Sequence, residues 1–204
     1  PRALRELGHD ARVMIPKYLS VDEAVYKLKL DYKGLKVPTG NDDGPTDLIS
    51  NVKRYDPEED SDPVTTYFLE NQEYYEQRAN VYGYADDAVR WALLCRGTLE
   101  FIRSSKSWIP DVIVSSDWQT GLISNLLKTT YKSDPIFSKV ASVFTIHNLY
   151  FQAMFDHKFV SEMDFDDGHS PIPALNSPRF EKINFMRRGI IYSDVINTVS
   201  PSYA

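Results

Sequence analysis

The sequence predicts an α/β fold: a parallel sheet with helices on both faces, plus an inserted set of antiparallel strands. Two stretches carry that expectation. The apolar, β-branched run to Ile146 ends in His147-Asn148, and a second buried-strand run, Asp111 to Val114, passes through Ser115-Ser116-Asp117-Trp118-Gln119-Thr120-Gly121 into a helical pattern. From there strand and helix patterns alternate: strand 111–114, helix 119–130, strand 140–146, helix 177–192, strand 195–199. Alternation of this kind means parallel βαβ units, and polar residues at the carboxyl ends of such strands lie where open α/β sheets bind ligands.

The earlier elements follow from local chemistry. Arg2 to Leu7 reads as the last turns of a helix closed by Gly8 in a left-handed cap. Arg12 to Ile15 is a short strand stopped by Pro16, and Ser20-Val21-Asp22-Glu23 has the spacing of a capping box that opens one turn. Tyr26, Leu28, Leu30 and Tyr32 alternate with charged residues, the period of a half-exposed strand, and Gly34 marks a bulge in it. Strands at 48–55 and 64–69, bracketed by polar stretches, complete an antiparallel insertion over about residues 25–70. The acidic run 58–62 has no glycine turn and no spaced ligand pattern, so it reads as a solvated hairpin tip, not a metal site. Ala88, Ala92, Cys95, Leu99 and Ile102 then fall at the spacing of a long amphipathic helix over 85–103. Ser177 before Pro178 has the form of a helix start. The chain begins inside a helix and ends inside the element that Ser200 opens, so a longer polypeptide is expected.

At 204 residues and 42% hydrophobic content the chain can bury one sizeable α/β core. Its net charge of −6, with basic residues scattered, excludes a nucleic-acid footprint or a polybasic membrane patch. Neutral or small anionic ligands are favoured. No secretory segment or bilayer-spanning apolar run is present. The single Cys95 lies in an apolar helical pattern, which reads as core packing in a reducing compartment. Thirteen tyrosines exceed what packing needs, and such rings stack on sugars.

Asp117-Trp118 sits where a strand gives way to a helix amino terminus. There a carboxylate can accept hydroxyl protons, or simply cap the helix. His147-Asn148 is a polar pair that is costly to bury without a ligand or backbone partners. The string 70–87, ENQEYYEQRANVYGYADD, carries Tyr74, Tyr75, Tyr82 and Tyr84 ahead of the long helix.

Together with Ile183-Asn184-Phe185-Met186-Arg187-Arg188-Gly189 through Val199-Ser200-Pro201, these strings resemble, in order, the bacterial glycogen synthase and plant starch synthase family. Ser116 stands where the family usually has His or Asn, and Ala153 where it has Gly. The resemblance implies the Rossmann-like amino-terminal half of a GT-B glycosyltransferase, residues 1–204, without the second, nucleotide-binding Rossmann domain. It implies transfer of glucose from ADP-glucose to an α-1,4-glucan by a retaining reaction, with no metal or other cofactor, in the bacterial cytoplasm or a plastid. Asp117 and His147 inherit catalytic roles, and Trp118, Asn148, Tyr75 and Gln152 inherit substrate contacts. The 204 residues alone are expected to be inactive. Two other readings stay open. One is a hydrolase using Asp117 and His147, for which no second ligand cluster speaks. The other is a non-catalytic glucan-binding or scaffold protein.

Overall fold

A computed structural model describes residues 1–41, 44–57, 64–106, 108–152 and 166–201. The acidic run 58–62, Ala153 and the last three residues lie outside these. The short helix α1 (Arg2–Glu6) ends before Gly8, whose φ of +89° suits only a residue without a side chain. Strand β1 (Arg12–Pro16) pairs in parallel with β4 (Thr65–Glu70), β4 pairs antiparallel with β3 (Asp47–Tyr55), and β3 pairs antiparallel with β2 (Lys29–Pro38). The insertion therefore extends the sheet that β1 begins, in the order β1-β4-β3-β2.

Two local expectations in this region change. Asp22, not Ser20, makes the cap: its Oδ1 accepts from the backbone N–H of Ala24 (2.8 Å) and Val25 (3.0 Å). That side chain competes with the strand for the backbone, so β2 starts at Lys29 instead of Tyr26. Gly34 behaves as expected. Its φ is +69°, its N–H donates to Asn51 Oδ1 at 2.9 Å, and the β2–β3 register slips between Tyr32 and Leu35.

Helix α2 (Asp87–Ser105) is the central pillar. Its residues share one apolar cluster with Leu35, Val52 and Leu69 of the first sheet and with Leu122, Leu126 and Phe185 beyond it. At Gly97 an added Cβ would sit 2.7 Å from Leu69, so the helix lies close on β4. Cys95 is fully buried there. Its Sγ lies 3.4 Å from the carbonyl of Gln119, and burial pushes the thiol up to about 12.

The second sheet is wholly parallel, β5 (Val112–Ser116), β6 (Ala141–Ile146) and β7 (Val195–Thr198), in that order. Between β5 and β6 the expected helix is shorter. A 3-10 turn, Trp118–Thr120, precedes α3 (Leu122–Lys128), and Thr120 Oγ1 folds back on the backbone of Ser116. Between β6 and β7 the expected single helix divides. Ser177 caps a 3-10 turn, Pro178–Lys182, and α4 (Phe185–Tyr192) starts anew because Asn184 is extended and caps Arg187. Helix α4 covers the Phe144 face of the sheet, where a Cβ at Gly189 would come within 2.6 Å of the Phe144 ring. Val114 and Val195, in register through Val143 on the opposite face, are exposed. A groove lined by Arg12, Met14, Phe101, Trp108, Val112 and Val114 separates β1 from β5. Among the described residues no helix is long and apolar enough to cross a membrane.

Candidate active site

Asp117 and His147 follow the carboxyl ends of neighbouring parallel strands, in register through Ser116 and Thr145. Asp117 is one of three non-glycine residues with positive φ (+53°) among the described residues, and its N–H donates to the Thr145 carbonyl at 2.9 Å. Its ψ of −174° places it outside the left-handed helical well, in a positive-φ region that side chains rarely enter, so Asp117 is held there against backbone strain. The turn aims the carboxylate sideways: it makes no helix-capping bond and faces the next loop instead. Oδ1 accepts from the backbone N–H of His147 at 2.7 Å and of Asn148 at 3.3 Å, and Oδ2 lies 2.9 Å from His147 Nδ1. A carboxylate only accepts, so Nδ1 carries the ring proton and a neutral ring leaves Nε2 as acceptor. The His147 side chain is 48% exposed and that of Asp117 25%, so the pair is open to a ligand.

The flanking loop is polar, then aromatic. Asn148 turns the chain by accepting from the N–H of Tyr150 at 3.0 Å, and Tyr150 and Phe151 stand exposed, edge to face at 5.4 Å. Gln152 is exposed at the end of this loop. Trp118 is half-buried, set edge-on against Trp91 with ring centres 5.8 Å apart. Asp117, His147, Asn148 and Trp118 thus come from two adjacent strand ends, as expected.

Tyr75 does not join them as an exposed ring. It is fully buried, its hydroxyl donates to the carbonyl of Arg90 at 2.8 Å, and burial holds its phenol well above the usual tyrosine range. The reason lies in Arg90, a wholly buried cation in α2. Its Nε donates to the Tyr74 carbonyl at 2.7 Å, Nη1 pairs with Asp87, and its guanidinium lies over the Tyr84 ring at 4.9 Å. The tyrosine-rich string wraps this charge, so those rings pack first.

Asn184 and Arg188 fall within the stretch expected as helix 177–192, and each does more than continue a helix. Arg188 is fully buried with all five donors engaged: Nε and Nη2 to Asp166, Nη2 also to Ser170 Oγ, Nη1 to Asn125 Oδ1 and the Ser170 carbonyl. An Arg amid an apolar helix run was the signal available for this clasp. At Gly121 an added Cβ would lie 2.0 Å from the Phe185 carbonyl, so the loop after Asp117 rests directly on the first turn of α4.

The family description "starch synthase catalytic domain" matches residues 1–204. The chain belongs to the starch synthase catalytic domain family. Glycogen synthases of Thermotoga petrophila and Clostridium acetobutylicum are each 36% identical to it over its whole length, and that of Clostridium botulinum 38%. The chain spans 41% of the length of each of these relatives. The catalytic domain of starch synthase IV from Arabidopsis thaliana, bound to ADP and acarbose, superposes with a TM-score of 0.74 at 25% identity. That match covers 98% of this chain and 40% of the other. In this chain of the starch synthase family, Asp117 and His147 stand partly exposed at the ends of two neighbouring parallel strands.

Proposed function

We propose that this chain is the amino-terminal catalytic domain of a glycogen or starch synthase. In this reading a second nucleotide-binding domain completes the enzyme, which moves glucose from ADP-glucose to the non-reducing 4-hydroxyl of an α-1,4-glucan. The carrying observation is the Asp117–His147 pair, joined by two contacts and steadied by a third from Asp117 to the Asn148 N–H, at adjacent strand ends in a chain of this family. The bond from the anomeric carbon to the diphosphate oxygen breaks, and the bond to the acceptor oxygen forms on the same face. The acceptor's proton leaves with the diphosphate, and no metal or other cofactor enters. Asp117 fixes the ring and backbone of His147. His147 offers Nε2 to the sugar, Asn148 and Gln152 bind its hydroxyls, and Trp118 walls the cleft. The leaving group is neutralised mainly by the partner domain, so electrostatic stabilisation carries most of the rate. The bacterial cytoplasm, or a plastid for a plant-type enzyme, is the setting.

The test compares the full-length polypeptide with residues 1–204 in incorporation of labelled glucose into glycogen, from ADP-glucose and from UDP-glucose. Transfer by the full-length protein with ADP-glucose, and none by the 204 residues, is expected. Transfer by the 204 residues alone, or none by the full-length protein, would overturn the reading.

A further inference from the structure

We propose that Asn184 is a positioning residue that fixes the loop 147–152 beside Asp117. This rests on the transfer reading above. The loop is tied at its start, where Asp117 accepts from the N–H groups of His147 and Asn148. It is tied again at its end. Asn184 Nδ2 donates to Gln152 Oε1 at 3.1 Å, and the N–H of Met186 donates to the Gln152 carbonyl at 3.4 Å. Between the ties stand Leu149, Tyr150 and Phe151, all exposed, so no core packing holds the loop's middle.

Asn184 is 3% exposed and uses every polar group it has. Its Oδ1 accepts from the N–H of Arg187 at 2.9 Å and so caps α4, and its own N–H donates to Asp166 Oδ2 at 2.9 Å. The Asn184 amide performs both duties at once, its oxygen accepting at the helix end and its NH2 donating to Gln152, whereas a Ser hydroxyl can cap the helix but is too short to reach Gln152. Asp166 is itself fixed by Arg188, so Asn184 sits on a rigid support. The same first turn of α4 backs the other half of the site through the Gly121–Phe185 approach. One short stretch, 184–186, thus sets the loops that carry Asp117 and His147 relative to each other.

Asn184→Ser in the full-length protein separates the two duties, because Ser caps helices well but is too short to reach Gln152. The expected result is a kcat lower by about tenfold or more, a glucan KM little changed, a melting temperature close to that of the parent, and faster deuterium uptake over 147–152. Ser177→Ala, which removes only the neighbouring 3-10 cap, should change neither kcat nor uptake. In a Gln152→Met background Asn184→Ser should add less than about twofold, since both break one link. A kcat within twofold of the parent, or unchanged uptake over 147–152, overturns the proposal. If the parent protein transfers no glucose, the functional reading fails, while deuterium uptake still decides whether Asn184 holds the loop.

Discussion

Asp117 grips His147 through both carboxylate oxygens, one on the backbone N–H at 2.7 Å and the other on ring Nδ1 at 2.9 Å. The same carboxylate therefore sets the direction of the chain and the tautomer of the ring. Removing it releases both at once, whereas removing the imidazole leaves the backbone contact in place.

In the full-length protein Asp117→Ala and His147→Ala are each expected to lower kcat by about two orders of magnitude or more. The double variant should lose much less than the product of the two, because the pair acts as a unit. Steady-state glucose transfer measures this, and near-normal turnover in either variant would remove the pair from the chemistry.

Tyr75 belongs to the core, and its variants should show it. Tyr75→Ala is expected to cost about 3–5 kcal/mol, or roughly 6–20 °C in melting temperature for a chain of this size. Tyr75→Phe, which loses only the bond to the Arg90 carbonyl, should cost about 1 kcal/mol. A soluble, undisturbed Tyr75→Ala protein with weakened substrate use would restore the sugar-contact role.

Arg188→Met leaves the Asp166 carboxylate, only 1% exposed at its side chain, buried without its cation. A loss of about 3–5 kcal/mol is expected. Asp166→Leu in the same protein should recover part of it, because the unpaired charge is then gone. Thermal denaturation of the two single variants and the double variant measures the coupling.

Asp194 gives the fold an acid-sensitive joint. Lys128 first, then the Ser142 N–H and hydroxyl, hold its carboxyl below the ordinary value of 3.8, against an opposing effect of burial. A depressed folded value means that the stabilisation is complete above 3.8 and is lost as pH falls through the lower folded value. Both partners are more than a third exposed, 40% for Lys128 and 38% for Asp194, so water screens the pair. Asp194→Ala should therefore lower the melting temperature at pH 7 by no more than about 4 °C, for a loss of about 1 kcal/mol. The gap to the parent should close as pH falls below 3.8. A gap that stays constant with pH would show that the charge is not what ties β7 to β6.

Residues 1–204 alone should bind malto-oligosaccharide no better than about millimolar, since one wall of a cleft must offset the ligand's whole immobilisation. ADP should bind scarcely at all. An NMR titration that follows the Trp118 indole checks both. Tight ADP binding with no response to maltotriose would reverse the assignment of this half to the sugar.

What the sequence revealed, and what it did not, follows from the range of each interaction. The strand ends at Asp117 and His147 were legible because apolar runs fix strands and polar residues then fall at their tips. The break before Phe185 was less so: the cap from Asn184 to Arg187 is local, but the contacts that hold Asn184 extended, to Gln152 and Asp166, come from far away in sequence. The burial of Tyr75 was not legible. Its string is equally compatible with an exposed aromatic wall, and only the placement of Arg90 inside α2 turns Tyr75 inward. The sideways aim of Asp117 likewise depends on one backbone angle that no spacing pattern records.

Cys95, the chain's one thiol, is sealed where α2 meets the Trp118–Thr120 turn, with its Sγ on the Gln119 carbonyl. That location makes it a built-in clock for the joint between the two sheets. An alkylating reagent reaches the sulfur when this contact opens, and where reclosing is faster than alkylation the labelling rate reports the free energy of opening. Glucan or nucleotide that tightens the cleft would slow the clock, and a variant that loosens it would speed it up. The opening between α2 and the Trp118–Thr120 turn is then followed with no substitution made in the chain.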